Sequence, residues 1–164
     1  MQIKLAADIQ CDSIVDGPGI RSVIWFQGCP HACPGCQNPE THDINAGIQI
    51  SLEEIKEKIK NLEYQDGITL SGGDPFMQPE AASEIAKYAH ELGYNVWCYT
   101  GYLYENILKN PKLTNLLEQI DVLIDGPFIM KEKSLECIYR GSKNQRLIDV
   151  PKSLAQKEVV LYDI

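Results

Sequence analysis

Along the chain, apolar residues recur in two alternating rhythms. The segment "SLEEIKEKIKNL" sets Leu52, Ile55, Ile59 and Leu62 at helical spacing, and Ser51 with Glu54 forms a capping box at its start. From Pro79 to Leu92, the positions Ala82, Ile85, Ala86, Ala89 and Leu92 predict a second helix, stopped at Gly93. A third helical region runs from Leu103 to about Gln119, interrupted at Asn110-Pro111. Between these lie short apolar runs that read as strands: Arg21–Gln27, Gly67–Leu70, Asn95–Thr100 and Asp121–Asp125. The segment "ECIYRG" around Cys137 also reads as a strand.

Strands alternating with helices over short connections predict an α/β fold with a mostly parallel sheet and right-handed crossovers. The unusual residues cluster just after strands. A cysteine-rich loop follows Arg21–Gln27, "SGGDP" follows Gly67–Leu70, "TGY" follows Asn95–Tyr99 and "DGPF" follows Asp121–Ile124. In α/β folds the functional face lies at the carboxyl ends of the strands, so four loops converge on one rim. The repeating units are too few for a closed eight-unit barrel. An open, partial (β/α) barrel is expected.

The 164 residues suit a single domain, 1–164, able to bury its own core. No run of eighteen apolar residues is present to span a membrane, and the N-terminus lacks a secretory pattern. A cytoplasmic location is the expectation. The net charge of -8 argues against a general nucleic-acid surface.

Three of the six cysteines, Cys29, Cys33 and Cys36, fall within "GCPHACPGCQNP". In a reducing compartment such clusters are more often metal or redox sites than disulfides. C-x3-C-x2-C can hold three corners of a [4Fe–4S] cubane, leaving one iron without a protein ligand. It can also supply a tetrahedral Cys3His zinc site, with His31 or His42 as the fourth corner. Spacing alone leaves both open. Cys11 has no supporting spacing as a fourth ligand, and Cys98 and Cys137 read as buried small hydrophobes. His90 is placed on the surface of its helix. Arg21, in "DSIVDGPGIRS", could bind a carboxylate ligand or pair with a neighbouring acid. The glycines of "SGGDPF" allow a close backbone approach to a ligand or simply form a tight turn. Asp125 could meet a ligand or cap a turn.

The cysteine spacing together with "SGGDP" resembles the radical S-adenosylmethionine (SAM) enzymes. The longer run "VDGPGIRSVIWFQGCPHACPGCQNP" resembles the activating enzymes of glycyl-radical proteins. Adding "YTGY", "DVLIDGPF" and "RGSKNQRLIDV", the chain is most similar to the branch that activates anaerobic ribonucleoside-triphosphate reductases. The resemblance implies a partial barrel of the radical SAM type, with Cys29, Cys33 and Cys36 holding a [4Fe–4S] cluster. SAM would chelate the open iron through its amino and carboxylate groups. Gly72, Gly73 and Asp74 would hold the SAM amino group and backbone, while Gly35, Cys36 and Gln37 approach the adenosine. Many radical SAM enzymes carry an aromatic residue before the third cysteine and a glutamate where Asp74 stands; "PGC" and Asp74 fit the reductase-activating branch.

The implied reaction is reductive cleavage of SAM to methionine and a 5′-deoxyadenosyl radical, which abstracts a Cα hydrogen from a glycine of the reductase. No side chain need act as acid or base. The implied electron donor is a flavodoxin or ferredoxin. A pyruvate formate-lyase-type activase, a zinc-stabilised interaction module and a ferredoxin-like carrier are the competing readings. The role of Arg140, Lys143 and Arg146, whether toward the partner, the SAM carboxylate or solvent, stays open.

Overall fold

A computed structural model describes residues 1–36 and 38–163. One mixed sheet organises them. Its strands are β1 (Gln2–Leu5), β2 (Gln10–Ser13), β3 (Arg21–Phe26), β4 (Ile48–Ser51), β5 (Gly67–Gly72), β6 (Asn95–Tyr99), β7 (Val122–Asp125) and β8 (Arg146–Asp149). Their order is β4-β1-β3-β5-β6-β7-β8, with β2 pairing on β3 as well. The central four strands β3, β5, β6 and β7 are parallel, in register from Arg21 against Gly67 to Phe26 against Gly72. β1, β2, β4 and β8 join antiparallel at the flanks. β4 and β8 end the sheet at opposite edges, so it stays open as expected.

The helices are α1 (Leu52–Lys60), α2 (Pro79–Glu91), α3 (Tyr104–Leu108), α4 (Pro111–Leu117) and α5 (Val150–Gln156). α1, α4 and α5 each begin where the N-cap side chain supplies a partner for an orphan amide. Ser51 Oγ accepts from Glu54 N–H at 3.1 Å and starts α1. Asn110 Oδ1 accepts from Lys112 N–H at 3.0 Å, and Pro111 occupies the first turn of α4, where a missing N–H costs nothing. The Asn110-Pro111 step thus divides two helices. None of the helices is long and apolar enough to cross a membrane.

Side chains alternate across the central strands. Ile24, Phe26, Ile68, Leu70, Val96, Cys98 and Leu123 join the helices in the main core. The intervening positions Arg21, Trp25, Thr69, Ser71, Trp97 and Tyr99 belong to the opposite face. That face has a small aromatic cluster in which Trp97 meets the edges of Tyr139 and Tyr162, with centroids 5.4 and 5.1 Å away. Beyond the aromatic cluster it opens into the cavity described below.

Two readings are corrected and one is refined. Cys137 lies in irregular backbone rather than a strand. His90 keeps its place at the helix surface, half-buried, and gains a partner: its Nε2 lies 2.8 Å from Asp121 Oδ2, which also accepts from Val96 N–H. Arg21 turns inward to the frame, and among the described residues it pairs with no acid. It is fully buried, donating to the Thr69 hydroxyl and the Ile68 carbonyl at 2.8 Å and to the Pro18 carbonyl at 3.2 Å, with its guanidinium over Trp97. A Cβ on Gly17 would press on its stem at 2.8 Å, so the "DGPG" loop leaves room for this arginine.

Candidate functional site

The loop after β3 is tied down on two sides before its first cysteine. Gly28 N–H donates to Thr41 O at 2.7 Å and Cys29 N–H to His42 O at 3.2 Å. From β5, Gly73 N–H donates to Phe26 O and Asp74 N–H to Gly28 O, both at 2.8 Å. These bonds need close backbone approach. A Cβ on Gly73 would collide with the Gly28 carbonyl, and Gly72 sits at φ +103° against the backbone of Phe26. The glycine pair therefore fastens the end of one strand to the loop leaving its neighbour. With the Gly73 and Asp74 amides committed, the backbone polar groups of that step left for a ligand are carbonyl acceptors.

The loops open onto a cavity of about 700 Å³. Cys29, Cys33 and Cys36 line it, with Gly72 and Gly73 from the next loop. Cys36 N–H donates to Cys33 O at 3.1 Å, a turn that presents the last two thiols side by side in the chain. Cys36 Sγ receives two hydrogen-bond contacts at 3.4 Å, from Asn38 N–H and from His42 Nε2. Burial pushes the Cys29 thiol up from its ordinary range, partly offset by the His31 backbone N–H directed at its sulfur.

The donor set fits a cubane held at three corners: three free thiols on one cavity wall, with no fourth cysteine in their loop. It fits a single zinc ion less well. His31 Nε2 is engaged at 2.6 Å by Asp74 Oδ2. Among the described residues, no three His, Cys, Asp or Glu side chains converge on one ion position.

The other residues singled out by sequence divide clearly. Asp74 is fully buried and its carboxylate is spent inside the protein. Oδ1 accepts from Phe76 N–H at 2.9 Å, and the Thr100 hydroxyl reaches both oxygens at 3.0 and 2.9 Å. Oδ2 also accepts from Gly101 N–H at 3.0 Å. The expectation that this carboxylate reaches a ligand's ammonium group is not met by its geometry. Gly35, at φ +74°, packs against Phe128 and Met130, and is absent from the described cavity lining. Gln37 lies outside the described residues.

Asp125 caps a turn, accepting from Tyr104 N–H at 2.9 Å at the start of α3, and pairs with Arg146. Cys11 is exposed on β2 away from the cavity lining, and Cys98 is buried in the main core, where desolvation drives its thiol well up.

Several cavity residues were not singled out by sequence. Trp25 and Tyr99 occupy the wall-facing positions of β3 and β6, and Phe128 and Tyr139 come from the segment after β7. The signal was available for the first two, as aromatic residues alternating with core aliphatics. Two residues that the sequence did single out line it as well: Cys137, half-buried rather than a buried small hydrophobe, and Arg140, whose buried Nε has no hydrogen-bond partner among the described residues. Their places follow from a long irregular segment with no periodicity to read.

Residues 15–148 match the family described as "4Fe-4S single cluster domain". The anaerobic ribonucleoside-triphosphate reductase-activating protein of Escherichia coli K12 is 35% identical over 141 residues, covering 80% of this chain and 90% of that protein. Its namesake from Enterobacteria phage T4 is 38% identical over 146 residues, 84% and 88% of the two chains. The crystal structure of QueE from Escherichia coli shares the fold, with a TM-score of 0.54 at 14% identity over 76% of this chain and 70% of that one. The chain thus belongs to the 4Fe-4S single cluster domain family and to the family of anaerobic ribonucleoside-triphosphate reductase-activating proteins.

Proposed function

We propose that residues 1–164 form a single radical SAM domain that activates an anaerobic ribonucleoside-triphosphate reductase. The observation that carries the reading is the meeting of Cys29, Cys33 and Cys36 with Gly72 and Gly73 on one cavity, at the carboxyl ends of neighbouring parallel strands. The relatives' names supply the partner. When bound, the [4Fe–4S] cluster and SAM supply the one-electron chemistry that yields a 5′-deoxyadenosyl radical for hydrogen abstraction from a reductase glycine.

The chain's own residues bind, orient and shield. Cys29, Cys33 and Cys36 hold three corners of the cluster and leave the fourth to the substrate's amino acid moiety. The carbonyls of Gly72 and Gly73 have the polarity that suits its ammonium group. Gly35, Cys36 and Gln37 form the loop nearest the adenosine in this reading, with Gly35 acting through the Phe128 and Met130 side chains it supports. Trp25, Tyr99, Phe128 and Tyr139 wall the cavity with rings, which limits water around a reactive species. Arg140 contributes a cation to the wall facing a carboxylate-bearing ligand. Fixing the reacting groups before electron transfer is what the protein contributes, since the cofactors carry the hard chemistry.

Ile14, Val15 and Ile138 line the cavity and are also exposed, giving its mouth an apolar collar for a partner's glycine loop. A flavodoxin or ferredoxin is the donor in this reading, and the cytoplasm the compartment; the six free cysteines suit reducing surroundings.

The test is anaerobic. Reduced protein is mixed with SAM and a candidate reductase, 5′-deoxyadenosine is quantified, and the reductase is examined by electron paramagnetic resonance. A glycyl-radical doublet on the reductase that depends on both SAM and this chain is the expected result. A doublet on a pyruvate formate-lyase alone, or colourless zinc-loaded protein with no SAM cleavage, overturns it.

A further inference from the structure

The motif "TGY" follows β6, where Thr100 N–H still bonds Ile124 O beside β7 and Tyr102 packs on the main core. All three of its residues close on one pair of side chains, His31 and Asp74. Thr100 Oγ bonds both oxygens of Asp74, at 3.0 and 2.9 Å, and Gly101 N–H donates to Oδ2 at 3.0 Å. Tyr102 presents its ring edge-on to the His31 imidazole, with centroids 4.6 Å apart at 79°. The imidazole itself lies against Gly101, where a Cβ would run into the ring. The space under His31 therefore exists only because residue 101 has no side chain.

Asp74 has no acceptor capacity left over. Its two oxygens take Phe76 N–H, the Thr100 hydroxyl, Gly101 N–H and His31 Nε2, and the side chain is fully buried. Between an imidazole and a carboxylate the ring N–H is the donor, so His31 Nε2 is assigned as donating to Asp74 Oδ2. His31, unlike Asp74, lines the cavity. It stands midway between Cys29 and Cys33, and its own backbone N–H points at the Cys29 sulfur. The next residue, Ala32, is held at φ +47°. That conformation is unfavourable for alanine and needs an anchor on either side.

We propose that His31 is a positioning residue for the cysteine loop, seated on Asp74 in a receptacle built by Thr100, Gly101 and Tyr102. Asp74 then acts through His31 rather than on the ligand's ammonium group. The inference rests on reading Cys29, Cys33 and Cys36 as the cluster ligands, and it assigns to "TGY" the task of setting where the first of them points. Outer partners that orient a ligand loop commonly matter about 10–100-fold in metal retention.

The experiment uses the full chain, first before and then after anaerobic reconstitution with iron and sulfide. His31→Ala removes the anchor, Gly101→Ala displaces it from below, and His31→Gln restores an amide donor near the Nε2 position. Before iron is added, hydrogen exchange of the 29–36 backbone is expected to quicken in the Ala variants and to return toward wild type in His31→Gln. After reconstitution and desalting, iron per chain is expected to fall about tenfold in both Ala variants and to recover in His31→Gln. Asp74→Asn is expected to lose iron as His31→Ala does.

Wild-type exchange and iron in His31→Ala would overturn the proposal. So would an Asp74→Asn protein that keeps its iron and weakens only SAM binding, since that places the carboxylate on the ligand. A wild-type chain that takes up no [4Fe–4S] cluster would instead overturn the proposed function, while the exchange comparison would still decide the role of His31.

Discussion

Asp125 and Arg146 form a two-point ion pair across adjacent strands: Nε donates to Oδ1 at 3.0 Å and Nη2 to Oδ2 at 2.5 Å. The carboxylate is fully buried, at the carboxyl end of β7, and also receives Tyr104 N–H from the first turn of α3. Arg146 reaches outward as well, to Glu105 at 2.6 Å. One guanidinium thus locks the antiparallel edge strand β8, the end of β7 and the helix that follows β6. Arg146→Ala strands a buried carboxylate and is expected to cost about 3 kcal/mol by urea unfolding. Arg146→Ala in an Asp125→Asn background should cost much less, and that double-mutant comparison isolates the pair.

The same arginine gives the chain an acid-sensitive contact. Its hydrogen bonds hold the Glu105 carboxyl below the usual carboxylate range. A carboxyl whose value is lower in the fold than in the unfolded chain stabilises the fold above the unfolded value. That contribution fades as pH falls toward and through the folded value. Unfolding curves from pH 6 down to pH 3 should therefore drop less steeply for Glu105→Gln than for wild type. The difference is expected to be small, since Glu105 is half exposed.

Much of the architecture could be read from aliphatic rhythm. β3, β5, β6 and β7 are buried runs with helices between them, which is how central parallel strands must read. The flanking strands β1, β2, β4 and β8 are as short as β7 but only partly buried, so they lack the continuous apolar run that marks β7. In the site, cysteine spacing and paired glycines identify a cavity wall because backbone approach and ligand count are local properties. The direction of the Asp74 side chain is not local. It is set by Thr100 and Gly101, more than twenty residues on, and by a histidine from a third loop. Arg146 sits in the basic run "RGSKNQR", yet only the antiparallel pairing of β8 with β7 brings it to Asp125.

Cys36 differs from the other two loop cysteines in its surroundings. Its sulfur meets Asn38 N–H and His42 Nε2, each at 3.4 Å. Hydrogen bonds to a cluster-bound sulfur stabilise the extra negative charge of the reduced state and raise the reduction potential. His42→Ala is expected to keep the cluster but shift its potential downward, measured by redox titration of the reduced-cluster resonance. An unchanged potential would mean that His42 turns away from the sulfur once the site is loaded.

Arg21 shows how a motif can look functional and serve the frame. Burial lowers its guanidinium to about 10, still charged at neutral pH, and its partners are Thr69, backbone carbonyls and the face of Trp97. Lysine carries the charge but lacks the planar fork that serves these acceptors together. Arg21→Lys is expected to destabilise the fold by about 2 kcal/mol through acceptors left unserved. SAM binding by the folded fraction should be unchanged, a split that calorimetry alongside thermal unfolding reads directly.

Gly73 and Gly93 make a matched comparison of what a missing side chain is for. Gly93, at φ +89°, has open space where a Cβ would go, so Gly93→Ala meets backbone strain alone and should cost about 1–2 kcal/mol. At Gly73 the new carbon would strike the carbonyl of Gly28 and lie 2.8 Å from Thr41 O, both backbone atoms with no rotamer to escape into. To admit it, the loop carrying Cys29 must lift off β5, breaking the bonds from Gly73 and Asp74 to Phe26 and Gly28. Gly73→Ala is therefore expected to lose most of its iron on reconstitution and Gly93→Ala almost none, even where their thermal midpoints are similar. Equal iron content in the two would mean that the glycine pair is a turn and not the clasp that holds the cysteine loop to the sheet.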